Sequence, residues 1–207
     1  MGKWLGLDPR RLFVKVFEGD DDAPLDQESI NIWKEQFQKG GITAEVAGSD
    51  KMVDETHRII PLGKDDNWWG PAGETGPCGP CTEMFYDVSP ENGGFNDTFE
   101  NLVNSFRLLE FWNDVFMEYN KKKDGTFERM TQQNVDTGMG LERVVVIANG
   151  KDNIFDTEVF QPFIRKIEEL TGKEYGEDEN KSSMRIIADH LKAATFMIAD
   201  GVVPSNV

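Results

Sequence analysis

The expected strands fall in the first two-thirds of this chain and most of the helical periodicity in the last third, and that order limits the folds open to it. Strands first and helices last suit an α+β domain with a mostly antiparallel sheet, followed by a helical region. Residues 11–18 alternate β-formers and predict a strand. Asp26 stands where an N-cap belongs; Ile30, Trp33 and Phe37 then recur at helical spacing, and Gly40-Gly41 closes that helix. Residues 42–81 read as loop-rich, with a dense Gly/Pro stretch from Gly70 to Pro80. A strand is expected over 82–88, a loop over Gly93–Glu100 and a central strand over 106–119. Lys121–Gly125 forms a hairpin turn, and 126–132 returns as a strand. A glycine turn at Gly138 and Gly140 opens a helix that runs to Asn149-Gly150. A further helix covers 157–171, with Phe160, Phe163, Ile164, Ile167 and Leu170 as its apolar stripe. Acidic residues 174–180 make a linker, and the last helix covers 183–200, with Ile187, Leu191, Ala194 and Ile198 on one face. No internal repeat is evident.

Composition narrows the class. Hydrophobic residues make up 38% and aromatics 11% of 207 residues, enough to build a core. No window reaches the apolar length needed to span a bilayer. Met1-Gly2-Lys3-Trp4 opens no apolar signal core, so a cytoplasmic protein is expected. The formal net charge of -16 is the wrong sign for a generic nucleic-acid binder, whose affinity comes mainly from neutralising phosphates. Any RNA contact must be local or carried by other sequence. No G-x-x-x-x-G-K-[ST] or G-x-G-x-x-G follows a strand, which argues against a P-loop or dinucleotide-binding enzyme.

The most specific segment is Asn134-Val135-Asp136-Thr137-Gly138-Met139-Gly140-Leu141-Glu142-Arg143. Two glycines at a strand-to-helix junction let backbone approach a ligand closely. The helix that follows offers unpaired N–H groups to an anion. Arg143, one turn inside, presents a planar cation that stacks on a base or forks onto phosphate. Asp136 is an acceptor suited to an ammonium group. A tight turn is the plainer reading of G-x-G alone; the flanking Asp and Arg argue against it.

Residues 135–143 resemble motif 3 of the class II aminoacyl-tRNA synthetases, in the wording typical of the alanyl-tRNA synthetases. Three more segments match that family in order. They are Asn67-Trp68-Trp69 with Gly76-Pro77-Cys78-Gly79-Pro80-Cys81-Thr82-Glu83; Leu109-Glu110-Phe111-Trp112-Asn113; and Ile187-Ala188-Asp189-His190 with 199–206. The resemblance implies a class II antiparallel sheet flanked by helices, with residues 1–150 as part of the catalytic domain. It implies that 151–207 is a helical region leading towards the tRNA-binding part. It also implies the activity: ATP-dependent activation of L-alanine and transfer to tRNA(Ala), with Mg²⁺ as cofactor and no membrane partner.

The implied roles fall residue by residue. Trp69 would wall the amino-acid pocket and Asn113 would hydrogen-bond the substrate amino acid. Asp136 would hold the α-ammonium and Gly138 would lie beside the alanine methyl. Arg143 and Gly140 would contact ATP, and Glu110 would help bind Mg²⁺ with it. Asp189 would lie near the bound end of the tRNA. No protein nucleophile is implied. Plainer readings stand beside these: Trp69 as core or interface, Glu110 as a solvated strand residue, Asp189 paired with Arg185 one turn earlier, His190 as ordinary packing or surface. Glu110 and Asn113 are an odd number of residues apart, so a regular strand puts them on opposite faces; both reach one site only across a bulge or twist.

Two departures from the family pattern matter. Some bacterial members follow the Cys-x-x-Cys with two histidines that complete a zinc site. Here Val88 and Glu91 stand at those positions, so no structural zinc is expected at Cys78 and Cys81, whose thiols are expected to pack in the loop beside the site. Motifs 1 and 2 are not found in residues 1–66, and the motif 2 arginine is the family's main cation at the α-phosphate. The chain is therefore expected to be weak or inactive by itself: a segment, one half of a split enzyme with a partner polypeptide, or a non-catalytic synthetase-like module.

Overall fold

A computed structural model describes residues 5–205. Asn206, the end of the fourth matching segment, and Met1–Trp4 lie outside the described residues. The chain divides into two compact units between Asp152 and Asn153.

In the first unit the strands are β1 (Leu12–Phe17), β2 (Glu45–Val46), β3 (Met52–Val53), β4 (His57–Leu62), β5 (Trp68–Trp69), β6 (Gly76–Asp87), β7 (Asp97–Thr98), β8 (Leu108–Lys121) and β9 (Phe127–Met139). The helices are α1 (Gln27–Lys39), α2 (Lys64–Asn67), α3 (Phe99–Asn104) and α4 (Leu141–Ala148). The main sheet runs β2-β4-β1-β6-β8-β9, with β5 also paired to β6, and β3 pairs with β7 separately. The pairs of β4 with β1 and β2 are parallel, and the others in the sheet are antiparallel. The α+β expectation holds, with a small parallel portion at one edge.

Local chemistry explains the elements. Asp26 caps α1 by accepting from the Ser29 N–H at 2.9 Å. Gly125, at φ 87°, makes the tight turn between β8 and β9. Along β1, Phe13, Lys15 and Phe17 share one face and Val14 and Val16 the other, and all five are buried. Phe13 packs with Val53, Ile60, Phe85, Phe99 and Leu108 on one side of the sheet.

Several sequence expectations need correction. Residues 42–81 are not mainly loop: β4 lies there, its Pro61 seated opposite Val16 in the parallel ladder. Proline usually marks a strand's edge, but Ile59 and Ile60 are fully buried and that burial wins. The Gly/Pro stretch becomes the start of β6, with its pairing irregular between Cys78 and Cys81. The loop expected at Gly93–Glu100 holds β7 and the first turn of α3, where Thr98 caps by accepting from the Asn101 N–H. Gly138 is not in a turn. It pairs with Asn113 inside β9, and the chain turns only at Gly140, the N-cap of α4.

The turn into β4 titrates. Asp54 Oδ1 accepts from the backbone N–H groups of Thr56 at 2.6 Å and His57 at 2.7 Å, and its Oδ2 meets His57 Nδ1 at 2.7 Å. These bonds, the one from the His57 N–H foremost, hold the Asp54 carboxyl down at about 2. A depressed carboxyl stabilises the fold fully above its unfolded value of about 4 and loses that contribution as pH falls through the folded one. The difference in urea midpoint between wild type and Asp54→Asn is therefore expected to shrink between about pH 5 and about pH 2. A difference that stays constant over that range rejects the assignment.

The second unit holds α5 (Gln161–Thr171) and α6 (Asp178–Ala199). Phe160, Ile164 and Ile167 pack with Met184 and Ala188. Leu170, expected in the same stripe, is exposed. The helix expected to start at 157 begins as α5 at Gln161, after a short 3-10 turn at Ile154–Asp156. The acidic stretch read as linker supplies the first turn of α6, where Asp178 and Glu179 complement the helix dipole. The buried face of α6 carries Met184 and Ala188; Ile187, Leu191 and Ile198 are exposed. No helix among the described residues is long and apolar enough to cross a membrane.

Candidate functional site

The site grows from one row of residues across the sheet. Lys15 on β1 stands opposite Glu83 on β6, Glu83 opposite Asn113 on β8, and Asn113 opposite Gly138 on β9. Lys15 and Glu83 are buried, at 8% and 7% exposure. Lys15 Nζ pairs with Glu83 Oε2 at 2.9 Å and donates to the Asp66 carbonyl at 2.7 Å. Glu83 Oε1 accepts from Asn113 Nδ2 at 3.1 Å. Burial pushes the Glu83 carboxyl up, the Lys15 ammonium opposes that shift, and the Glu110 charge adds to it. The row ends at Gly138, where a Cβ would meet nothing within 4 Å.

That open end is a hollow of about 280 Å³. Trp69, Asn113, Asp136 and Gly138, the four residues expected to bind the amino acid, all line it. Glu110 and Gly140 line it as well. Trp69 is 41% exposed, which removes the plain core reading.

A second hollow, of about 640 Å³, holds Arg143, Lys15, Lys51 and Glu110 in its wall. Asp136 and Arg143 thus lie in different hollows, and Glu110 is the wall between them. Arg143 Nη1 reaches Glu110 Oε2 at 2.8 Å and the Glu110 carbonyl at 3.1 Å. The Arg143 side chain also folds over Gly140, where a Cβ would come within 3.2 Å of its Cδ.

Of the bulge or twist that would bring Glu110 and Asn113 to one site, the structure has a bulge. Met84 pairs with Trp112 but Phe85 pairs with Glu110, so Phe111 is one extra residue in β8. The Phe111 carbonyl accepts from the Gly140 N–H at 3.2 Å, tying the bulge to the start of α4.

The thiols lie in strand β6, not in a loop. Cys78 packs with Phe17, Ala23 and Tyr119, and Cys81 Sγ lies 3.6 Å from Glu83 Oε1. Burial, then the Glu83 charge, pushes the Cys81 thiol up to about 12, so it stays a thiol at neutral pH. Among the described residues no three His, Cys, Asp or Glu side chains gather as a metal site.

Asp189 sits on α6 in the second unit, exposed, with His190 Nδ1 at 3.3 Å from its Oδ2. Arg185 donates instead to the Tyr175 hydroxyl at 2.8 Å, so the one-turn ion pair that was the plainer reading of Asp189 does not form. Lys15 and Glu83 were not singled out from the sequence. Their signal was there: Lys15 sits between Phe13 and Phe17 on an alternating strand, which commits it to an apolar face.

A largely antiparallel sheet carrying the smaller hollow at the β8–β9–α4 junction, with the larger one beside it between β1, β6, β8 and α3, has the architecture of a class II aminoacyl-tRNA synthetase catalytic domain. The chain belongs to the family described as tRNA synthetases class II (A), which it matches over residues 1–207. Its curated relatives include the alanine--tRNA ligase of Treponema denticola, 43% identical over 99% of this chain and 32% of the relative. Those of Treponema pallidum (44%; 99% and 31%) and Rubrobacter xylanophilus (40%; 98% and 22%) are similar. The chain spans about a third or less of the length of these relatives.

Proposed function

We propose that this chain forms the alanine pocket and part of the ATP site of an alanine-activating ligase, which joins alanine to AMP and then passes it to tRNA(Ala). The single observation that carries the reading is the row from Lys15 to Gly138, which ends in a small hollow lined by Asp136 and Trp69.

The roles follow from the chemistry of each group. The Asp136 carboxylate takes the α-ammonium, and Asn113 gives the same end of the substrate a polar contact. Gly138, with no side chain, leaves room for a methyl group beside β9, and Trp69 limits anything larger. A methyl group supplies little binding energy, so orientation comes from the charged end of the amino acid. Arg143 and the Gly140 backbone at the start of α4 take the nucleotide. The alanine carboxylate attacks the α-phosphorus, the bond to the β-phosphate oxygen breaks, and alanyl-adenylate and pyrophosphate result. The 3′-terminal ribose of tRNA(Ala) then displaces AMP. Asp189 is the residue of the second unit that this reading places near the tRNA end, and translation in the cytoplasm is its setting.

Magnesium prefers oxygen ligands and is usually held by one or two carboxylates together with substrate phosphates. Glu110, which pairs with Arg143, would be the carboxylate of that arrangement. The ion would supply charge neutralisation on the phosphates.

Each cation lining the larger hollow is already matched to a carboxylate: Lys15 with Glu83, Lys51 with Glu18 at 2.8 Å, and Arg143 with Glu110. Among these lining cations Arg143 is the one this reading gives to the nucleotide, and among the described residues no further unpaired lining cation stands by for the α-phosphate. Stabilisation of charge in the transition state is usually the largest catalytic contribution. Alanine-dependent ATP–pyrophosphate exchange by this chain alone is therefore expected to run at least about a hundredfold below that of a full-length alanine--tRNA ligase. The pocket itself is tested by calorimetry with a nonhydrolysable alanyl-adenylate mimic, the alanyl sulfamate of adenosine. Binding tighter than that of the leucyl counterpart is expected, and equal affinity for the two overturns the reading.

A further inference from the structure

The buried Glu83 does not line the alanine hollow, yet it controls a side chain that does. The Asn113 amide has two ends that look alike in shape and differ in chemistry: Nδ2 donates and Oδ1 accepts. Nδ2 donates to Glu83 Oε1 at 3.1 Å, and Oδ1 is buried with no partner among the described residues. An ionised carboxylate only accepts, so Glu83 admits the Nδ2 end and turns the Oδ1 end away from itself. Lys15, at 2.9 Å from Oε2, is the counter-charge that favours the ionised form of Glu83 against its burial.

A buried acceptor without a partner costs free energy until something donates to it. The hollow that Asn113 lines is where the α-ammonium of alanine is placed by the reading above. We propose that Glu83, paired with Lys15, is a positioning residue that fixes the Asn113 amide with its oxygen presented to the substrate ammonium. It thereby sets the preference of the pocket for an amino acid over the same acid without its amine. This inference rests on the proposed alanine pocket.

Glutamine at position 83 can donate as well as accept, so it no longer dictates which end of Asn113 faces it. The measurement is the ratio of affinities, by calorimetry on the whole chain, for two adenosine sulfamates: alanyl, and propionyl, which lacks only the amine. Glu83→Gln is expected to reduce the alanyl-over-propionyl preference about tenfold while changing the propionyl affinity less than about twofold. A purely structural loss weakens both ligands alike and leaves the ratio where it was; that result overturns the proposal.

Glu83→Gln strands the Lys15 charge, and breaking a buried pair in this way is strongly destabilising. The double variant Lys15→Met/Glu83→Gln removes both charges, a replacement that folds tolerate far better. The same collapse of the ratio is expected in it, and an unchanged ratio again overturns the proposal. Asp136→Ala separates the two levels. If it leaves alanyl binding intact, or the wild-type chain binds neither sulfamate, the pocket reading fails and this inference falls with it. If it weakens alanyl binding while the Glu83 variants keep the wild-type ratio, only the positioning role is lost.

Discussion

Gly79→Ala is expected to prevent the chain from folding. A methyl group built on Gly79 lies 1.8 Å from the Phe116 carbonyl oxygen and 3.2 Å from the Glu118 amide nitrogen. Both obstacles are backbone of β8, which pairs along nearly its whole length with β6 and β9, so no side chain can swing aside. Relief requires moving a central strand. A loss above about 4 kcal/mol is expected, against a total stability of about 5–15 kcal/mol for a domain. Soluble yield and the urea midpoint of the purified protein measure it. Gly138→Ala is the matched control, since its methyl group meets nothing within 4 Å. That variant should fold normally. A Gly79→Ala protein with a wild-type midpoint shows that the close strand approach is wrong.

Asp136→Ala should give the largest change in ligand recognition. Asp136 is exposed on β9 and lines the smaller hollow, so its removal leaves no buried charge stranded and the fold should be unaffected. A hydrogen bond to a charged group contributes about 1.5–3 kcal/mol, or roughly ten- to a hundredfold in affinity. The alanyl sulfamate is expected to lose that factor. ATP alone, which has no ammonium group, should bind within about twofold of wild type. Equal losses for the two ligands would remove Asp136 from the ammonium role.

These variants also mark how far residue patterns carried the reading. The strand at β1 and the helix at α1 follow from alternation and from the Asp26 cap, both local effects. Counting set a condition, that Glu110 and Asn113 reach one site only across a bulge or twist, and the register shift at Phe111 meets it. Local rules failed where distant partners decide. Pro61 argues against a strand until Val16 and the buried isoleucines are known to surround it. In α6, two apolar stripes compete, and only the packing against Phe160 and Ile164 selects Met184 and Ala188. Lys15 and Glu83 were not paired from the sequence, since the register that sets them opposite each other joins residues far apart in the chain. Gly138 read as a turn because glycine is common there; its value here lies in what it omits from the end of a row.

The supernumerary Phe111 makes the partition between the two hollows depend on arithmetic as much as on residue type. Shortening β8 by that one position would restore strict alternation and swing Glu110 out of the wall it shares with Asn113, with every acid and amide of the segment still present. In this part of the chain the partition therefore depends on the length of β8 as well as on which residues it carries.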